Sequence, residues 1–390
     1  MRQVDSPGER ATALRVCTFC VMDSTDDGAI RFDRNGQCNC CRAALARLPH
    51  EWLRGPEGER KLEQLAERIR RDGRGRPYDA LIGLSGGIDS AYLAHMLRTR
   101  FDLRLLALHV DGGWNSATAV ANIESIVRKL DIDLHTQVIE WEEMRELQLA
   151  FLRASVLNQD IPQDHAFFVT LNRMARKFGL RYFLSGVNFS SESIVAPDSG
   201  LPWADGKHLR AIHRRFGRIP LTTFPTMDFA VYLWYTRLMK TPAVERPLDL
   251  IDYDKVRAKA ELEHHYDWQD YGGKHHESRF TKFYEEVYLP EKTGFDKRRI
   301  HLSSLIVSGQ YTREAALREL ERPIVDQDSR IRQTRYIAKK LGIPVEELTA
   351  VMRSPLVPHT AYPHGRWLRQ LLTGARVLKR RASSLWSTPQ

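Results

Sequence analysis

Two short stretches hold residues whose types and spacing could do chemistry. The first is Ser85-Gly86-Gly87-Ile88-Asp89-Ser90, between the apolar run 80–84 and an apolar pattern at helical spacing. Two glycines let the backbone approach an anion closely. The free N–H groups of the following helix, and its dipole, then favour that anion. Ser85 and Ser90 add hydroxyl donors. Asp89 sits oddly beside a phosphate unless a Mg²⁺ lies between them. No Gly-Lys-Ser/Thr closes the loop, so it is not a Walker A motif.

The second stretch is Cys17-x-x-Cys20 followed by Cys38-x-x-Cys41. Two thiolate pairs around a hairpin are the spacing of a tetrahedral Cys₄ zinc site, and a closed site of this kind is structural. Cys40 is the spare thiol. A pairing through Cys40 stays open, and an iron–sulfur cluster is the rival occupant. All five cysteines fall between Cys17 and Cys41. That clustering argues against a disulfide scaffold. It also leaves the rest of the chain without a persulfide-carrying or glutaminase nucleophile. If nitrogen is the nucleophile, ammonia must come from solution or from a separate subunit.

A third dense region begins at Gly272-Gly273 with Lys274, His275, His276, Glu277 and Arg279, and continues at Asp296-Lys297-Arg298-Arg299. Its cations could neutralise a departing pyrophosphate or hold a substrate carboxylate or diphosphate. Lys274, Lys297 and Arg298 are the candidates for that role. His275 and His276 with Glu277 could bind metal or move protons. A solvated charged face is the plain alternative. Asp164 and His165 are further candidates for contact with substrate.

These residues need elements to position them. Apolar runs at 80–84, 103–110, 134–139 and 182–187 read as strands, with helices at 90–99, 117–130 and 167–178 between them. That alternation implies a parallel sheet covered on both faces, with ligands at the carboxyl ends of the strands. Ser185, Gly186 and Asn188 fall at such an end with Glu192 just beyond; for Asn188 and Glu192, capping a loop is the alternative role. Residues 26–37 read as a strand, a turn at Asn35-Gly36 and a return. Residues 51–73 read as a helix with Leu53, Leu62, Leu65 and Ile69 on one face, 229–239 as a buried apolar helix, and the chain beyond 255 as mainly helical. The expected divisions are 1–50 for a tail and metal ribbon, 51–78 for a helical linker, 79–250 for the α/β domain and 251–390 for a helical substrate or partner region with a basic tail.

The chain has 390 residues, 42% of them hydrophobic, and a formal net charge of +10. Its Lys and Arg are scattered, so charge alone argues only weakly for nucleic acid. No run approaches a membrane span and the N-terminus lacks an apolar core, so a cytoplasmic protein is expected. The tail after Gly365 reads as a docking helix, with weak contact to a membrane surface as the alternative.

The loop Ser-Gly-Gly-x-Asp-Ser resembles the pyrophosphate loop of the ATP pyrophosphatase (adenine nucleotide alpha hydrolase-like) superfamily. The resemblance implies a doubly wound parallel sheet and cleavage of ATP between the α and β phosphates. It also implies that His109 and Asp111, in "HVDGGWNS", lie at the adenosine. Taken in order, "CTFCVMDSTDDGAIRFDRNGQCNCC", "SGGIDS", "HVDGGWNS", "SGVNFSSES", "YGGKHHESRFTKFYEEVYLP" and "DKRRIHLSSLIVSGQYTREAAL" resemble the N-acetyl sugar amidotransferase family of lipopolysaccharide and surface-glycan biosynthesis. That family converts an N-acetyl group of a free or nucleotide-linked sugar to an acetamidine with ATP. Its ammonia comes from partners resembling the glutaminase and cyclase subunits of imidazole glycerol phosphate synthase. The chain departs from the pattern at Cys40, where an aromatic or polar residue is expected, and at Gly112, where Asn is expected. A tRNA thiolase of the same superfamily is the alternative.

Overall fold

A computed structural model describes residues 14–25, 30–195, 204–239 and 242–365. The expected tail helix beyond Gly365 and most of the N-terminal tail lie outside them. Five strands form one parallel sheet: β1 Ala80–Gly83, β2 Leu105–Asp111, β3 Asp133–Val138, β4 Tyr182–Leu184 and β5 Ala243–Glu245, in the order β3-β2-β1-β4-β5. The expected doubly wound sheet is therefore present. The order reverses between β1 and β4, so the loops leaving these two strands open a crevice at the switch point.

The sheet forms because its central strands bury side chains on both faces. Ala80, Ile82 and Leu84 point into one core, with Leu62, Leu65 and Ile69 of helix Pro56–Asp72, Leu93 and Leu97 of helix Ile88–Phe101, and Leu262 and Tyr266 of helix Lys255–Tyr266. Leu81, Leu106, Leu108 and Phe183 point the other way, onto Leu171 and Met174 of helix Ile161–Lys177. A third core joins helices Trp141–Ala154, Gly206–Phe216, Gln327–Leu341 and Val345–Arg353.

Several expectations need correction. Leu53 precedes the helix that begins at Pro56. The expected return strand around Gly36 is a single bridge between Phe32 and Cys38. The run 229–239 is not buried: helix Phe229–Leu233 passes into a π-turn to Met239, Phe229 is covered, and Val231, Trp234 and Met239 are exposed. Only one side of this segment finds a surface to pack on. Helix Trp141–Ala154 and edge strand β5, whose Val244 faces solvent, have no counterpart in the sequence reading. Among the described residues, no helix is long and apolar enough to cross a membrane.

Candidate active crevice and metal centre

The loop after β1 is shaped by close approaches. Gly86 has φ +84°, and a Cβ built on it would lie 2.4 Å from the Ala119 carbonyl oxygen. Its own carbonyl accepts from Trp268 Nε1 at 3.0 Å and Asn122 Nδ2 at 3.3 Å. These bonds turn the carbonyl dipole away from the ligand side. Helix Ile88–Phe101 begins at Gly87 with no side-chain cap, which leaves its first N–H groups for an anion. The Ser90 hydroxyl donates to the Gly87 carbonyl at 3.1 Å, and Gly87 N–H donates to Ser85 Oγ at 3.2 Å. From β4, Gly186 presses on the same turn: a Cβ there would meet Ser90 N at 2.9 Å and the Asp89 carbonyl carbon at 3.1 Å. Ser85, Gly86, Gly87, Asp89, Ser90 and Gly186 are thus brought together.

Beside the loop, Lys274 Nζ lies 2.7 Å from Glu192 Oε1, 2.9 Å from Ser191 Oγ and 3.8 Å from Asp89 Oδ2. The Tyr253 hydroxyl donates to Asp89 Oδ1 at 2.5 Å. One ammonium is held between two carboxylates at the loop's mouth. Beyond Gly272-Gly273, Lys297 Nζ pairs with Glu285 Oε1 at 2.5 Å. Burial opposes its charge, but Glu285, Asp160 and Asp164 outweigh burial and raise its pKa. Asp160 is half-buried, and burial together with the charge of Asp164 raises its pKa, while Asp164 itself is largely exposed. His275 has φ +63° and stacks loosely on His301, ring centroids 5.7 Å apart. Burial first, then Lys274, His301, Lys297 and Lys255, hold its pKa well below the ordinary imidazole value.

Other candidates have their polar atoms occupied elsewhere. Arg298 forks onto Asp296, at 2.7–3.1 Å, and donates to the Glu319 and Arg322 carbonyls; its charge is neutralised outside the crevice. His165 is fully buried and accepts from Met227 N–H at 3.1 Å, a packing role. Asn188 caps the short helix Phe189–Glu192: its Oδ1 accepts from Ser191 N–H and from both serine hydroxyls, and its Nδ2 donates to Gly186 O. It buttresses the turn at the end of β4. His109 joins Leu84 O at 3.0 Å and Asn115 Nδ2 at 2.9 Å, tying the ends of β1 and β2. Asp111 Oδ1 accepts from Gly113 N–H at the tip of β2. His276 lies 3.6 Å from Glu286, on the far side of Gly273. Tyr253, Trp268, Asn122, Tyr271 and Glu285 are neighbours of these residues that the sequence does not single out; Glu277, grouped in sequence with His275 and His276, stands beside the loop.

The four sulfurs of Cys17, Cys20, Cys38 and Cys41 lie within 4.8 Å of one another, and the residues are fully buried. Three of the Sγ–Sγ distances are 3.5–3.7 Å. With metal–sulfur bonds of 2.3 Å, a tetrahedral zinc site has edges of about 3.8 Å. Cys17 Sγ accepts N–H bonds from Phe19, Cys20 and Cys38, which stabilise a thiolate. The quartet could therefore hold one tetrahedral ion; an iron–sulfur cube would keep its thiolates farther apart, with four irons between them. Cys40 stands outside the quartet. The first knuckle is clamped to two helices: Arg299 of helix Arg298–Val307 pairs with Asp23 at 2.9 Å and Val21 N–H donates to its Ser303, while Arg313 of helix Arg313–Leu320 donates to the Cys17 and Cys20 carbonyls.

Residues 277–374 match a family model described as the C-terminal domain of WbpG-like LPS biosynthesis proteins. No curated protein matches the chain. Among solved structures, it is similar to an NH3-dependent NAD synthetase from Campylobacter jejuni subsp. jejuni NCTC 11168, with 17% identity, a TM-score of 0.27, and coverage of 34% of this chain and 58% of that one. The chain thus spans less than two thirds of that synthetase. It is also similar to the U34-tRNA thiolase NcsA from Methanococcus maripaludis with its [4Fe-4S] cluster (15% identity, TM-score 0.35, 79% of this chain and 88% of that one). NMN synthetase from Francisella tularensis is a third (14% identity, TM-score 0.30, 76% and 98%).

Proposed function

We propose that this protein is an ATP-dependent amidotransferase of lipopolysaccharide or surface-glycan biosynthesis. It would convert an N-acetyl group of a nucleotide-linked sugar to an acetamidine, with release of AMP and pyrophosphate. The observation that carries the reading is the meeting of two distant parts of the chain: Lys274 Nζ, just before the WbpG-like region, lies 3.8 Å from Asp89 Oδ2 in the uncapped glycine turn.

An amide carbon resists attack by ammonia because resonance with nitrogen stabilises it. Bonding its oxygen to the α-phosphorus makes that oxygen a leaving group. The N–H groups at 85–90 would bind the outer two phosphates as they take up negative charge, an interaction stronger in the transition state than before it. Lys274 would move from Asp89 and Glu192 onto the departing pyrophosphate, and Lys297 would orient the acceptor. Asp89 has the oxygen donors that Mg²⁺ prefers, and with phosphate oxygens it would hold the ion; bound there, Mg²⁺ would supply charge neutralisation. The quartet Cys17, Cys20, Cys38 and Cys41 would hold a structural zinc.

Ammonia would come from a separate glutaminase through a cyclase-like subunit, since the only cysteines of the chain lie at 17–41. The same placement weighs against a thiolase that carries sulfur on its own cysteine. The test is mass spectrometry of products from ATP, Mg²⁺, ammonium and a panel of UDP-N-acetyl sugar acids. The expected result is a sugar lighter by one mass unit, oxygen replaced by NH, in step with AMP. Turnover to ADP and orthophosphate would refute the reading.

A further inference from the structure

A carboxyl group stands beside the anion-binding loop, where it would compete with an anionic ligand. A Cβ built on Gly87 would meet the Tyr271 hydroxyl at 2.8 Å, Ser85 Oγ at 3.1 Å and Glu277 Oε1 at 3.9 Å. Tyr271 and Ser85 are thus neighbours of this carboxyl at the turn. Its other oxygen, Oε2, is buried and has no hydrogen-bond partner among the described residues. His275 Nδ1 lies 4.0 Å from Oε1. The backbone around Glu277 is fixed: its carbonyl accepts from Ser116 N–H at 2.8 Å, and Ser278 bridges to Asn115.

An orphaned, buried carboxylate oxygen is costly unless it carries a proton or meets a donor. Here burial raises the pKa first, and the charge of Glu285 adds to it, against the hydroxyls of Tyr271 and Ser85. Phosphoryl oxygens arriving on the loop would raise it further, since two anions at such range cannot both stay charged in a desolvated site.

We propose that Glu277 is the proton carrier beside the loop, protonated while ATP occupies it and ionised once its proton has gone to the departing pyrophosphate. Resting on the amidotransferase reading, the steps balance. The amide oxygen bonds to the α-phosphorus, the bond to the β-phosphoryl oxygen breaks, and the departing pyrophosphate takes the Glu277 proton. The adduct stays protonated on its amide nitrogen. Ammonia then forms the C–N bond, the C–O bond to AMP breaks, and the carboxylate of Glu277 accepts one proton from the attacking nitrogen. The products are an amidinium, AMP and singly protonated pyrophosphate, with Glu277 protonated as at the start.

The test has two arms. In the first, ATP without acceptor at fixed Mg²⁺ is titrated into the full chain at pH 8 by calorimetry in two buffers of different ionisation enthalpy. Wild type is expected to take up more protons per site than Glu277→Gln, by a fraction approaching one. Equal uptake overturns the proposal. In the second arm, Glu277→Gln still donates a hydrogen bond but neither gives nor takes a proton, so it should keep ATP affinity while amidination slows by about 10²-fold or more. Glu277→Asp should restore part of that rate. Amidination at the wild-type rate, or a loss of ATP affinity as large as the loss of amidination in a variant with unchanged melting temperature, overturns it. If wild type forms no AMP with any acceptor, the amidotransferase reading fails, and the first arm still decides proton carriage at the loop.

Discussion

Substituting Gly186 by Ala should damage the grip on ATP more than it damages the fold. The added methyl would lie 2.9 Å from Ser90 N and 3.1 Å from the Asp89 carbonyl carbon and Ser90 Cα. Contacts between such atoms are comfortable near 3.5–4.0 Å, so something must move by roughly 0.5–1 Å. All three neighbours are backbone at the start of a helix, and none can rotate away. Overpacking of this kind costs about 1–3 kcal/mol, a fall of a few degrees at most in the melting temperature of a chain this long. The displaced atoms belong to the turn that presents the loop's N–H groups. An error near 1 Å in such a cradle costs about 10²-fold in rate. Calorimetric titration of ATP or pyrophosphate into the variant is the assay, with thermal melts alongside. We expect affinity to fall by about 10- to 100-fold. Undiminished affinity with a lowered melting temperature would show that the tip of β4 is not part of the anion site, and the reasoning would fail.

Trp268→Phe removes the donor that turns the Gly86 carbonyl outward; losing one buried hydrogen bond costs about 1 kcal/mol, so ATP affinity should fall roughly fivefold, read by the same titration. Arg298→Ala should leave turnover within about twofold, because its guanidinium is paired with Asp296 away from the crevice; a loss of about 10-fold or more in kcat would restore it to the mechanism. Cys17→Ser should abolish stoichiometric metal and, by loosening the knuckle on which Arg313 rests, lower the melting temperature, with metal content read by atomic absorption. Glu143 accepts N–H bonds from Thr222, Thr223 and Phe224. Burial works against its charge, but these bonds prevail and lower its pKa to about 2. A group depressed in the folded state stabilises above its unfolded pKa. Its contribution is therefore full at neutral pH and lost as pH falls from about 4.5 toward about 2. Glu143→Gln should flatten that acid limb in urea titrations.

The central strands were legible because β1 and β2 are apolar on both faces and each is followed by a helical period; the edge strand β5 was not. The loop was legible because Ser85, Gly86, Gly87, Asp89 and Ser90 are neighbours in sequence. What closes the loop was not. Trp268 stands 182 residues from Gly86 and Tyr253 stands 164 from Asp89, and no local spacing encodes contacts of that length. Arg298 is paired with Asp296, two residues earlier, and Asn188 caps a short helix; neither partner is announced by spacing alone. Glu143 lies on a helix the sequence reading did not find, and only the distant loop it anchors gives it meaning.

The loop is made early in the chain, but its lid of side chains (Tyr253, Trp268, Tyr271, Lys274 and Glu277) follows more than 160 residues later. A ribosome-bound product that stopped at residue 250 would carry the glycine turn with Asn122 alone holding its carbonyl and without Tyr253 or Lys274 beside its aspartate. On the proposed reading, completion of the anion site would wait until the segment from Tyr253 to Glu277 has been synthesised.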